Sequence, residues 1–311
     1  MQIVLPGALP DPIAAKALIP HVLETAPTFA NWLRQGRAAV QAADPTAAGC
    51  TPLEQWLLKR NGFVKRDGQN LSAGLGPLWA NNVTQRDQAV WLAELVHVSP
   101  SRDGAVLLPA SELEISAEHN SALLESAQAL FAGTGFTLHP DGASRWRIEL
   151  PADFTPQCAS PVLVSRTTVN EWWPQDISAR PWRRLLNELQ MLWYDHPVNN
   201  ERYAAGRVPV NSLWLFGGAS PDQLRQTPQP DSAIHGSLLE PGLAQDWGAW
   251  ISALGELERS VFKPLAASLQ PSLVLLGRDR IVEIQPRPQG LLSRLLPRRN
   301  ETWRTWWSPQ N

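Results

Sequence analysis

The chain has 311 residues, 43% of them hydrophobic, with a formal net charge of −2 from 27 Lys and Arg against 29 Asp and Glu. That length buries a full core as one large or two modest domains, and the near-neutral charge gives no global attraction to nucleic acid or anionic lipid. No run approaches the roughly 20 apolar residues that cross a bilayer.

The start lacks a basic region and breaks at Pro6 and Pro10, unlike a signal peptide, and Cys50 and Cys158 are too few for a disulfide framework. A cytoplasmic protein is therefore expected. Ile3 to Leu5 reads as a short strand, and the apolar spacing predicts helices over Pro12–Leu23 and Phe29–Ala42. Thr51-Pro52-Leu53-Glu54 is a capping box with proline at the first helical position, and Asn61-Gly62 ends the helix it opens. The glycines of GQNLSAGLGPLWA, residues 68–80, match neither a phosphate loop nor the dinucleotide spacing, so they read as a helix entry or a close helix packing. Ala89–Val98 is a predicted strand with Glu94 and His97 as polar guests, and Asp103-Gly104 turns it into Val106–Leu108. His97 reads as a hydrogen-bonded core histidine, the alternative being a ligand contact oriented by Glu94 or Asp103. Ser116 starts a helix to about Phe131, with His119 expected to be exposed. Residues 136–139 and 145–150 alternate across Asp141-Gly142 as a hairpin.

Residues 151–180 are rich in proline and read as an ordered connector between an N-terminal half, 1–150, and a C-terminal half, 181–311, unless the whole is one domain. The helix over about Trp182–Tyr194 places Leu185, Leu186, Leu189, Leu192 and Trp193 on one buried face and stops at Asp195-His196-Pro197. Ser212–Phe216 is a short apolar run closed by glycines, as expected of a central strand whose carboxyl end opens into a crevice. His196, Asn199, Arg202, Asn211 and the backbone of Gly217 and Gly218 form the candidate ligand site. Arg202 would contact an anion and the asparagines would fix its orientation, or Asn199 and Asn211 brace the loop. A linker over 219–241 precedes a helix from Leu243 to Leu269, broken near Pro264, and a hairpin of Leu273–Leu276 with Ile281–Ile284.

The chain closes on a basic, aromatic tail in which Arg298 and Arg299 precede Trp303, Trp306 and Trp307. It could dock on its own domain, bind a protein partner, or stack on single-stranded bases, nucleic acid being the least expected. Most of the fifteen tryptophans read as core residues. In the pairs Trp172-Trp173 and Trp306-Trp307, neighbours point to opposite sides, so one of each pair is expected to meet a ligand, another domain or a partner.

The segments NELQML, HPVNxxR and NSLWLFGG, with IVLPGALP, AGLGPLWA, WLAELVHV, LEISAEHNSALLESAQALF, CASP and NEWWPQD, resemble a proteobacterial family. Its members are known either as cofactor-independent phosphoglycerate mutase-like proteins or as E-type regulatory proteins of a pathogenicity-factor regulation cluster. The resemblance runs nearly end to end and implies a link to metal-dependent mutases. Such a mutase needs two divalent ions on several Asp and His ligands, and a Ser or Thr nucleophile near the end of the first strand. Here the first strand runs into Pro6-Gly7-Ala8-Leu9 without a carboxylate, no Asp-His-Gly triplet occurs, and the six histidines form no closely spaced pair. The expected fold is α/β, a mixed sheet flanked by helices, with an N-terminal helical flank and a C-terminal helix, hairpin and tail. The expected function is regulatory or ligand-binding without catalysis, metal or cofactor, the ligand being a small anionic metabolite. A metal-dependent phosphoglycerate mutase or phosphatase and a nucleic-acid-associated accessory protein are the alternatives.

Overall fold

The computed structural model describes residues 1–81, 83–102, 104–225, 230–266, 270–287 and 301–309. Its strands in chain order are Gln2–Pro6 (β1), Arg37–Ala42 (β2), Val90–Ser101 (β3), Gly104–Leu108 (β4), Thr137–Pro140 (β5), Arg145–Glu149 (β6), Ser212–Ala219 (β7), Ser232–Ile234 (β8), Ser272–Leu276 (β9) and Arg280–Gln285 (β10). With helices flanking the sheets the fold is α/β. Its contacts separate two units, residues 1–45 with 228–311, and residues 46–227. The boundaries expected near residues 150 and 180 both fall inside the second unit.

In the first unit β1 is buried along its whole length, as suits a strand with parallel neighbours on both sides. It pairs in parallel with β8 and β9, while β10 runs antiparallel to β9 and to β2, so the sheet is mixed in the order β2-β10-β9-β1-β8. Asp11 caps the Pro12–Thr25 helix through the Ile13 and Ala14 amides, at 3.1 and 3.0 Å. The next helix, Pro27–Gln35, has no cap of its own. Buried Glu258 supplies one from 230 residues away, accepting from the Thr28 and Phe29 amides at 3.0 and 3.3 Å. A carboxylate there satisfies free amides and complements the helix dipole.

The helix expected over Phe29–Ala42 ends at Gln35, and its last six residues are β2 instead. Gly36 makes the break: a Cβ there would lie 2.2 Å from the Ile284 methyl, and beyond it six consecutive residues pair with β10. Long-range pairing overrides local helical preference. The helix expected over Leu243–Leu269 is found over Trp247–Leu257, widens over Glu258–Phe262 and resumes at Lys263–Leu265; residues 267–269 lie outside the described set.

The second unit holds a separate, antiparallel sheet in the order β4-β3-β6-β5, with β7 also paired to β3. The NSLWLF strand is thus not part of one sheet with β1, and its only pairing among the described residues is antiparallel. The crevice rule for the carboxyl ends of parallel strands therefore does not apply to it. The Ala117–Phe131 helix, capped by Ser116 through the His119 amide, and the Arg180–Tyr194 helix contribute to the core of this unit.

On the Arg180–Tyr194 helix Trp182, Leu185, Leu186, Leu189 and Trp193 are buried, but Leu192 is 42% exposed. The stripe ends on the i+4 step to Trp193, whose indole donates to Ser126 Oγ at 3.0 Å and meets Trp146 edge-on at 6.0 Å. That leaves Leu192 at the rim. Leu189→Ala should cost about 2–5 kcal/mol from lost burial and the cavity left behind, whereas Leu192→Ala should cost under about 1 kcal/mol. Urea unfolding of the two variants checks this; equal losses would place the buried face wrongly.

Candidate functional site

Between the Arg180–Tyr194 helix and β7 lies the Pro197–Ala204 helix, capped by the side chain of His196, which accepts from the Val198 amide at 3.2 Å. Burial holds the His196 pKa below the ordinary imidazole range. The Asn199 amide is buried and nearly saturated: Nδ2 donates to the Trp193 and Val210 carbonyls at 2.7 and 2.8 Å, and Oδ1 accepts from the Val210 amide at 2.9 Å. Arg202 is only 1% exposed. Its Nε donates to the Val208 carbonyl at 2.8 Å and Nη2 to that of Leu113, while Nη1 is buried without a partner. Desolvation lowers its pKa, and Arg207 adds to the effect.

Asn211 clamps β3, accepting from the Val98 amide and donating to the Val98 carbonyl, both at 2.8 Å. Both asparagine amides are thus committed to backbone groups. Gly217 and Gly218 lie six residues or more along β7, about 20 Å away in an extended strand. Both have positive φ, 97° and 108°. A Cβ on Gly217 would lie 2.6 Å from the Val90 carbonyl and 2.9 Å from Gly76 Cα, and one on Gly218 would strike the Trp91 ring. They let the Leu75–Trp79 helix approach the strands closely. The structure therefore gathers His196, Asn199 and Arg202 on one short helix with its adjoining loop, ties Asn211 to β3, and leaves the glycine pair at the far end of β7.

His119, expected at the surface, is buried. Its Nε2 lies 3.4 Å from Glu201 Oε1, and Nδ1 has no partner, because the start of its helix packs beside Pro197–Ala204. His97 Nδ1 lies 3.0 Å from the Pro209 carbonyl, and burial lowers its pKa; Asp103, its alternative partner, is outside the described residues. In the tail Trp303 and Trp307 are buried in the first unit's own core, with the Trp307 indole donating to the Ala15 carbonyl at 3.0 Å. These two rings are filled by their own unit and not presented to a partner, and Trp306 remains partly exposed. Arg298 and Arg299 lie outside the described residues.

A polar cluster that the sequence did not signal joins two motifs 106 residues apart. The capping carboxylate Glu54 accepts from the Thr51 amide and hydroxyl at 2.6 and 2.8 Å, and from Ser160 of the CASP segment at 2.8 Å. Burial raises its pKa against these hydrogen bonds. Cys50 and Cys158 lie buried in the core of this unit as free thiols. Burial pushes Cys158 up to about 12 and raises Cys50 further, the Glu54 charge adding to the latter. Glu94 on β3 is also buried, accepting from the Ala110 amide at 3.1 Å; burial pushes its pKa up to about 7, with Arg145 opposing and Glu54 assisting.

Among the described residues no three His, Cys, Asp or Glu side chains are placed to hold a metal ion, and Asp103 is the one residue of those types outside them. The end of β1 is closed by packing: the Gly7 carbonyl accepts from the Trp250 indole at 2.9 Å, and a Cβ on Gly7 would strike the Leu238 carbonyl. No described helix is long and apolar enough to cross a membrane.

No family model matches the chain. Over 131 residues it is 28% identical to a probable 2,3-bisphosphoglycerate-independent phosphoglycerate mutase of Geobacter sulfurreducens, a stretch covering 40% of this chain and 31% of that protein. The chain thus matches under a third of that relative's length. The cofactor-independent phosphoglycerate mutase of Thermoplasma acidophilum superposes over 93% of this chain and 90% of its own, with 13% identity and a TM-score of 0.39. A solved protein of Pyrococcus horikoshii does so over 92% and 86%, with 12% identity and a TM-score of 0.47. The chain is an α/β protein. It has weak homology to phosphoglycerate mutase-like proteins.

With its raised pKa, Glu94 is expected to make the stability of this unit depend on pH. Its folded pKa of about 7 lies above the ordinary 4.5, so between those values the folded state keeps a proton that the unfolded state releases. Stability is then lost as pH rises from about 4.5 through 7, by up to roughly 3 kcal/mol. Urea unfolding at about pH 5 and pH 8 should show this fall, and Glu94→Gln, which keeps an acceptor for Ala110, should reduce it, with buried Glu54, also raised, supplying part of the remainder. An undiminished fall in the variant would assign the effect elsewhere.

Proposed function

We propose that the chain is a cytoplasmic ligand-binding protein with a regulatory role, related to phosphoglycerate mutase-like proteins but without their catalysis. The observation that carries this reading is the donor set. Two-metal phosphoryl transfer needs several carboxylates and imidazoles converging on two ions, and no three such side chains are placed together among the described residues. The end of β1, where a mutase would need its nucleophile, is occupied by Pro6, Gly7 and Ala8 and sealed by Trp250.

Binding is assigned to Arg202. A buried guanidinium with one unpartnered nitrogen supports an anion contact, since a buried donor without an acceptor is unfavourable until one is supplied. Asn199 and Asn211 hold the loop around it, and the ligand class is a small phosphorylated or carboxylated metabolite. Purified protein supplied with Mn2+, Mg2+ or Zn2+ should interconvert 2- and 3-phosphoglycerate no faster than a chelated control. Calorimetry should show 3-phosphoglycerate binding weakened about tenfold by Arg202→Lys, which keeps the charge but loses the planar fork. Robust turnover abolished by chelator would restore the enzyme, and unchanged affinity in Arg202→Lys would remove Arg202 from the site.

A further inference from the structure

The NEWWPQD segment forms one wall of an open cavity that the Arg202 reading does not use. Its volume is about 480 Å³, and its walls include Phe154, Trp172, Trp173 and the carboxylates Asp153, Glu171 and Asp176, with no Lys, Arg or His among the lining residues. That volume suits a small molecule. None of the three carboxylates forms an ion pair with a described residue. The nearby guanidinium of Arg183 is directed elsewhere, donating to the Pro174 and Asp176 carbonyls at 2.7 and 3.0 Å. It fixes the turn that carries Asp176 and leaves the carboxylate uncompensated.

The two indoles are held in place from behind. Trp172 donates from Nε1 to the Thr167 hydroxyl at 3.0 Å, and Trp173 packs on buried Trp214 at 6.2 Å between ring centroids. Both remain partly exposed. Ordered aromatic rings together with unpaired carboxylates recognise a positive charge carried on an apolar body: the ring faces attract it, and the carboxylates exclude anions. We infer that this cavity binds a small organic cation, a substituted ammonium whose alkyl groups rest on the indoles while its charge faces Asp153, Glu171 and Asp176. The inference is independent of the anion site at Arg202 and asks for the opposite charge, so either can fail alone.

Choline and spermidine serve as probes for calorimetric titration of the full chain at low salt. Saturable binding of at least one is expected, weakened at about 0.5 M NaCl by screening and absent for acetate. Glu171 and Asp176 are exposed, so E171Q with D176N should keep the wild-type Tm while binding falls about tenfold or more; Trp172→Phe should give a smaller loss. No saturable binding of either probe up to about 10 mM, or equal affinity in the double variant, would overturn the inference.

Discussion

The buried positive charge of Arg202 sets a constraint that several segments of the second unit must meet together. Taking a guanidinium out of water costs several kcal/mol unless strong acceptors replace the solvent, and here the acceptors are the carbonyls of Val208 and Leu113. The loop after the Pro197–Ala204 helix and the turn before the Ala117–Phe131 helix must therefore converge on one side chain. Asn199 then joins the end of the Arg180–Tyr194 helix to Val210, and Asn211 extends the clamp to β3. The HPVNxxR motif and Asn211 are in the first place a set of backbone brackets.

The first unit repeats the device with different segments. Arg280 is buried on β10, and its guanidinium donates to the carbonyls of Pro10, Trp306 and Trp307. A residue near one end of the unit's sequence is thereby tied to residues near the other. In both units arginine does what lysine could not, because its planar fork reaches several carbonyls at once. Glu258, which caps a helix 229 residues upstream through the Phe29 amide, is the acidic counterpart.

What was legible in the sequence was local. The Thr51–Glu54 capping box, the Ser116 cap, the hairpin across Asp141-Gly142, the β9–β10 pair and most of the buried stripe on Arg180–Tyr194 each have their cause within a few residues. What was missed depends on partners distant in the chain. β2 reads as helix until Ile284 and its strand are brought against it, His119 reads as exposed until a second helix covers it, and nothing near Glu54 announces Ser160. The choice of Trp193 over Leu192 as the last buried residue depends on Trp146 and Ser126 being there to receive it. Spacing alone separates two members of the candidate site: Asn211, just before β7, and Gly217 near its end stand about 20 Å apart in an extended strand.

Cys50 and Cys158 are both buried, both un-ionised at neutral pH, and both confined to residues 46–227. The folded chain should therefore ignore thiol reagents, because only an exposed thiolate reacts. Any modification then timestamps an opening event, and only in that half of the molecule; the half containing β1 carries no cysteine and would stay silent. Nature has in effect labelled one unit and left the other blank, so their unfolding can be told apart chemically without adding a probe to either.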